Sequence, residues 1–124
     1  MKTILLIIAI VFSGVLIHAQ ELNENAKFLK NTTNETLKAT YKDIKEAAVK
    51  EWVDDHQMIV YTINKQCNGY SEMTEAMDKS NYDEDVMLKA LAEWGQLTDD
   101  NRIKADWVMV MYEYKKQLKA KSAY

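Results

Sequence analysis

His56 and Cys67 are the residues on which most chemistry in this chain would have to rest. The other histidine, His18, falls in an apolar leading segment, and there is no second cysteine. A metal site on a helix draws its ligands from positions three or four residues apart, where side chains share a face. At those distances from His56 the sequence has Trp52, Val53, Ile59 and Val60, while the adjacent Asp54 and Asp55 point around the helix. No Glu-x-x-His pair is present, which removes a ferritin-like di-iron centre. Cys67 closes an apolar stripe just before Asn68-Gly69. A catalytic thiolate needs a base and an electropositive surround, and neither is placed nearby. Cys67 reads as a small buried hydrophobe, with an intermolecular disulfide between two copies as the sharper alternative.

The search for nucleophiles and acid–base pairs ends similarly. Ser71, Ser80 and Ser122 fall at an expected cap, a connector and the tail. None lies in a Gly-x-Ser-x-Gly elbow, and no glycine-rich phosphate loop exists. Asp83-Glu84-Asp85 and Asp99-Asp100 sit where first helical turns favour negative charge. The former lacks the spaced ligands and central glycine of a calcium loop. The expectation is a protein that is not an enzyme, with no catalytic residue, no metal site and no cofactor.

Composition narrows the classes further. The 124 residues carry a formal charge of −3, no proline and three glycines. One domain of this size buries roughly two-thirds of the surface its unfolded chain exposes. Collagen-like and turn-dense all-β architectures are excluded by the proline and glycine counts. Mild acidity argues against a nucleic-acid partner. At the front, Lys2 precedes the apolar run Ile4 to Phe12, which leads to Ile17-His18-Ala19. This is the pattern of a signal peptide cut after Ala19. The run falls short of the ~18–20 residues a spanning helix needs, so no stable membrane anchor is expected after cleavage. The expected location is exported, periplasmic or extracellular. The expected organisation is a signal peptide over 1–19, a flexible lead-in or short docking helix over 20–30, and a single helical-bundle domain over 31–124.

The elements follow from apolar spacing. Thr32 with Glu35 three residues on forms a capping box. From there Leu37, Tyr41, Ile44, Ala48, Trp52, His56, Ile59, Ile63 and Cys67 recur every three or four residues, one face of a helix. One helix of about thirty residues ending at Asn68-Gly69 is the simplest reading, with a break near Asp54-Asp55 as the alternative. Ser71 caps a short helix over 72–79, and Asp83 caps one that closes at Gly95. Thr98 caps the last helix, whose core stripe is Ile103, Trp107, Val110, Tyr114 and Leu118. The stretches 58–63 and 107–112 are apolar on every side and resemble strands, but each lies inside a longer helical period. The fold class is therefore all-α: a small bundle of three principal helices plus one short one.

The chain holds three tryptophans, seven tyrosines and seven methionines. These fill a core, and on the last helix they spread around the whole circumference. That surplus points to a contact face for a protein partner or for self-association, built from Trp107, Met111 and Tyr112 with Met58 and Tyr61 beside them. Leu97-Thr98-Asp99-Asp100-Asn101-Arg102 resembles the Leu-Thr-x-x-Gln motif of small helical periplasmic stress chaperones. Asn101 stands where the motif has glutamine, and the motif occurs once rather than twice. The resemblance covers six residues and implies a dimeric, client-holding cradle. Three functions are compatible with these residues: an exported binding module such as an inhibitor, immunity-type or envelope adaptor protein; a chaperone-like holder of unfolded clients; and a carrier of a small apolar ligand.

Overall fold

The computed structural model describes residues 21–124, so the signal peptide expected over 1–19 and its cleavage point lie outside the described residues. Five helices and one hairpin run in the order α1 (Glu24–Asn31), α2 (Glu35–Trp52), α3 (His56–Met77), α4 (Glu84–Trp94), β1 (Gly95–Leu97), β2 (Ile103–Ala105) and α5 (Trp107–Ser122). The architecture is the expected helical bundle, with a two-stranded antiparallel hairpin added between α4 and α5. α3 is the central member and packs against α1, α2 and α5, while α4 covers the other side of α5.

The core is the apolar stripe legible in the sequence. Tyr41, Ile44 and Ala48 of α2 meet Ile59, Ile63 and Cys67 of α3, and Trp107, Val110, Met111 and Tyr114 of α5 close over them. Met87 and Ala90 seal the α4 side. The stretches 58–63 and 107–112 are both helical, because their apolar residues continue the 3.6-residue period of α3 and α5.

Glu24–Asn31 forms a docked helix in which Ala26 and Leu29 are buried. The strand-like lead to it is stitched onto α3. Asn23 N–H donates to Asn64 Oδ1 (2.8 Å), and Asn64 Nδ2 donates to the Glu21 carbonyl (2.8 Å). Asn68 Oδ1 accepts from both Asn23 Nδ2 and Asn25 Nδ2, each at 2.9 Å.

Four boundaries differ from expectation, each for a local reason. The cap of α2 is Asn34, whose side chain accepts from Leu37 N–H at 3.0 Å, rather than Thr32. The long stripe is broken between α2 and α3 at the alternative site. Val53 takes φ 52°, ψ −92°, and Asp55 caps the new helix by accepting from Met58 N–H. The apolar period runs through this joint in phase, so spacing alone does not reveal it. Asn68-Gly69 does not stop α3, which continues to Met77 and absorbs the short helix expected over 72–79. Gly69 serves a close helix contact instead: a Cβ there would lie 2.7 Å from the carbonyl carbon of Trp107.

The last difference is the hairpin. Thr98 does not cap α5 but opens the turn between β1 and β2, where Thr98 N–H donates to the Arg102 carbonyl at 2.7 Å. Asn101 takes φ 62° there, a left-handed conformation that asparagine tolerates better than most residues. Arg102 ties the turn to itself through Asp100 (2.7 Å) and to α2 through Asp43 (2.6 Å). These two carboxylates stabilise its charged form and push the guanidinium pKa up. The true cap of α5 is Asp106, which accepts from Met109 N–H. The six residues that resemble a chaperone motif thus form a β-turn and its flanks.

Candidate functional site: a groove between α3 and α5

Gly69 lets α3 and α5 approach closely, and along one side of that contact the two helices leave a groove of about 540 Å³. From α3 it is lined by Lys65, Asn68, Gly69 and Glu72, spaced as one helical face. From α5 come Val108, Met111, Tyr112, Lys115, Lys116 and Lys119. Gly69 and Met111 are buried and form the floor. Tyr112 is 58% exposed and stands at the wall. The two ends of the contact are held by polar bridges. Gln66 of α3 donates to Asp106 (2.8 Å) and accepts from Trp107 N–H (2.7 Å), which fixes the start of α5. Near the far end Lys115 pairs with Glu72.

The rim is basic. Lys65, Lys115, Lys116 and Lys119 face one acidic liner, Glu72. Lys65 extends its ammonium over the Tyr61 ring, 5.0 Å from the centroid, a cation–π contact that keeps the charge at the surface. Lys116 lies 3.9 Å from Glu113, a loose pair. Neither Lys65 nor Lys119 forms an ion pair among the described residues.

The five residues expected to make a contact face are therefore divided. Tyr112 lines the groove and is exposed; Tyr61, 44% exposed, flanks it through Lys65. Met58 is half-buried in the first turn of α3, one turn before Tyr61. Trp107 and Met111, each 3% exposed, are core residues rather than surface ones. Trp107 packs edge-on against Tyr70 at 4.9 Å between ring centroids, and Met111 offers only its buried edge to the groove floor. The reason is geometric: α5 packs on α3, and Gly69 admits the backbone of Trp107 and Val108 to a close contact there. Lys65, Lys115, Lys116 and Lys119 were missed as site residues. The last three read as partners of the helix dipole, and only the fold brings Lys65 beside them.

A second depression, about 410 Å³, lies between α2 and the hairpin. It has the reverse charge: Asp43, Glu51, Glu93 and Asp106 line it with one lysine, Lys104. Trp94 also lines it, and its indole N–H is buried without an acceptor.

The residues on which chemistry would have to rest are kept apart. His56 is exposed at the start of α3. Cys67 is fully buried, and burial pushes its thiol up to about 12, so it stays protonated. Among the described residues no three histidine, cysteine or acidic side chains gather as metal ligands, and no helix is long and apolar enough to cross a membrane. Comparison with known protein families, with curated proteins and with solved structures finds no match to this chain.

Proposed function

We propose that this chain is an exported, non-enzymatic protein-binding module, of the inhibitor, immunity-type or envelope-adaptor kind, that holds its partner in the α3–α5 groove. The groove itself carries the reading. It combines an apolar floor, an exposed aromatic wall at Tyr112 and a charged rim, the composition of a surface made for another polypeptide. Tyr61 and Tyr112 are amphipathic, relatively rigid side chains that give contact area at low entropic cost. The signal-peptide pattern supports export.

The methionines favour this reading over a chaperone-like holder. Met73, Met87 and Met111 are in the core, so half of the six methionines among the described residues are spent on packing rather than on the adaptable surface that a client-holder needs. A small-ligand carrier has one observation on its side, the unpartnered Trp94 indole beside the acidic depression.

The test is photo-crosslinking from a reactive residue at position 112, in the cellular envelope, against the same residue at position 97 on the hairpin. A single adduct of fixed mass from position 112 alone is the expected result. A smear of many adducts would favour the chaperone reading, and equal yields from both positions would overturn the groove.

A further inference from the structure

We propose, resting on the groove reading above, that the partner presents an acidic amphipathic helix. Its apolar side chains would seat against Val108 and Tyr112 over Gly69, with carboxylates meeting the lysine rim. Three observations carry this. The α5 residues that line the groove run from Val108 to Lys119, about 16 Å at 1.5 Å per residue, matching roughly three turns of a helix laid alongside. The floor is buried while Lys115 and Lys116 are about 60% exposed, so the shape is concave with charge at its lips. Finally, four lysines surround one glutamate on a chain whose formal charge is −3. This local reversal of sign selects an acidic partner and steers its approach.

The same charges disfavour the other occupants. A second copy docking groove to groove across a two-fold axis would set like lysines against one another. A bilayer is gripped by an apolar face that protrudes, whereas here the apolar floor is recessed below its rim.

Fluorescence anisotropy of the purified protein tests the proposal. One probe is a labelled peptide of about four helical turns with leucines on one face and glutamates flanking them. The second has lysines in place of the glutamates. The acidic peptide is expected to bind, more weakly as salt rises, and the basic peptide to bind at least about tenfold less tightly. Lys65→Glu with Lys119→Glu, neither in an ion pair among the described residues, should weaken the acidic peptide about tenfold while the melting temperature holds. Equal binding of the two peptides overturns the acidic partner but spares the groove, provided Tyr112→Ala weakens both. Tyr112→Ala without effect on either removes the groove reading itself. No binding of the acidic peptide, preferential binding to phosphatidylglycerol vesicles, or a dimer abolished by the two lysine reversals would each overturn the proposal.

Discussion

Gly69 lies directly beneath the backbone of Trp107, and a methyl group at position 69 would stand 2.7 Å from one of its atoms and 2.9 Å from the nitrogen of Val108. Backbone cannot swing aside as a side chain does, so only separation of α3 from α5 relieves the contact. Gly69→Ala should therefore lose about 1–3 kcal/mol by overpacking, despite alanine's better helix propensity. Chemical denaturation of the two proteins checks this. An unchanged or raised stability would mean that α5 is not seated on Gly69.

Val53 carries the opposite prediction. It is a β-branched residue at φ 52°, 64% exposed, with little packing to lose. Glycine adopts such a backbone without strain of order 1–3 kcal/mol, but gives back about 0.5–1 kcal/mol through its freer unfolded chain. Val53→Gly should stabilise the protein by about 1 kcal/mol, seen as a higher melting temperature. Destabilisation would show that the positive φ is comfortable for valine here.

Adjacent residues on α5 should separate stability from binding. Met111 is buried, and Met111→Ala should cost about 2–5 kcal/mol. Tyr112 is mostly exposed, so Tyr112→Ala should change stability by less than about 1 kcal/mol and act on partner binding instead. Replacing both with lysine and glutamate would chiefly unfold the protein, because the charge at 111 has nowhere to go. Thermal melts of the two single variants decide the matter: equal losses would mean that Tyr112 is packed as well.

The start of α4 gives a pH dependence. Asp83 accepts a hydrogen bond from Lys121 at 2.6 Å and from Val86 N–H, which hold its carboxyl below the ordinary aspartate range. A depressed folded pKa contributes stability above the unfolded value, near 3.9, and loses it as pH falls through the folded value. Asp83→Asn keeps an acceptor for the helix cap and removes the charge. The stability difference between wild type and variant should be constant near neutrality and shrink below about pH 4. A difference that persists in acid would assign the effect to capping rather than to the ion pair.

Much of the bundle was legible in the sequence because apolar spacing reports directly on which face is buried. Tyr41, Ile44, Ala48, Ile59, Ile63, Cys67, Val110 and Tyr114 all occupy the core positions their spacing assigns. The joint at Val53 was legible only as the alternative break near Asp54-Asp55, because the apolar period of α2 and α3 runs across it in the same phase. The hairpin escaped because β1 and β2 are only three residues each, too short for an alternating pattern to show. Leu97 and Ile103, which pair across it, look like helix residues in isolation. The site was half legible. Tyr61 and Tyr112 stand out as surplus aromatics, but Trp107 and Met111 share that signal and are core, since sequence counts apolar residues without saying which neighbour covers them. The lysine rim is assembled from two helices about fifty residues apart in the chain, and no local pattern encodes it.

The sealed position of Cys67 gives the molecule an internal clock. Its side chain is fully buried in the bundle core and remains a thiol well above neutral pH, which keeps oxidants and alkylating reagents from it while that core stays closed. Every labelling event is then preceded by an opening of the core. With a reagent slow enough for the helices to reclose between attacks, the labelling rate measures the population of the opened state and hence its free energy. With a fast reagent it measures the rate of opening itself. An oxidising compartment would run the same assay continuously, trapping as mixed disulfides the copies that have come apart.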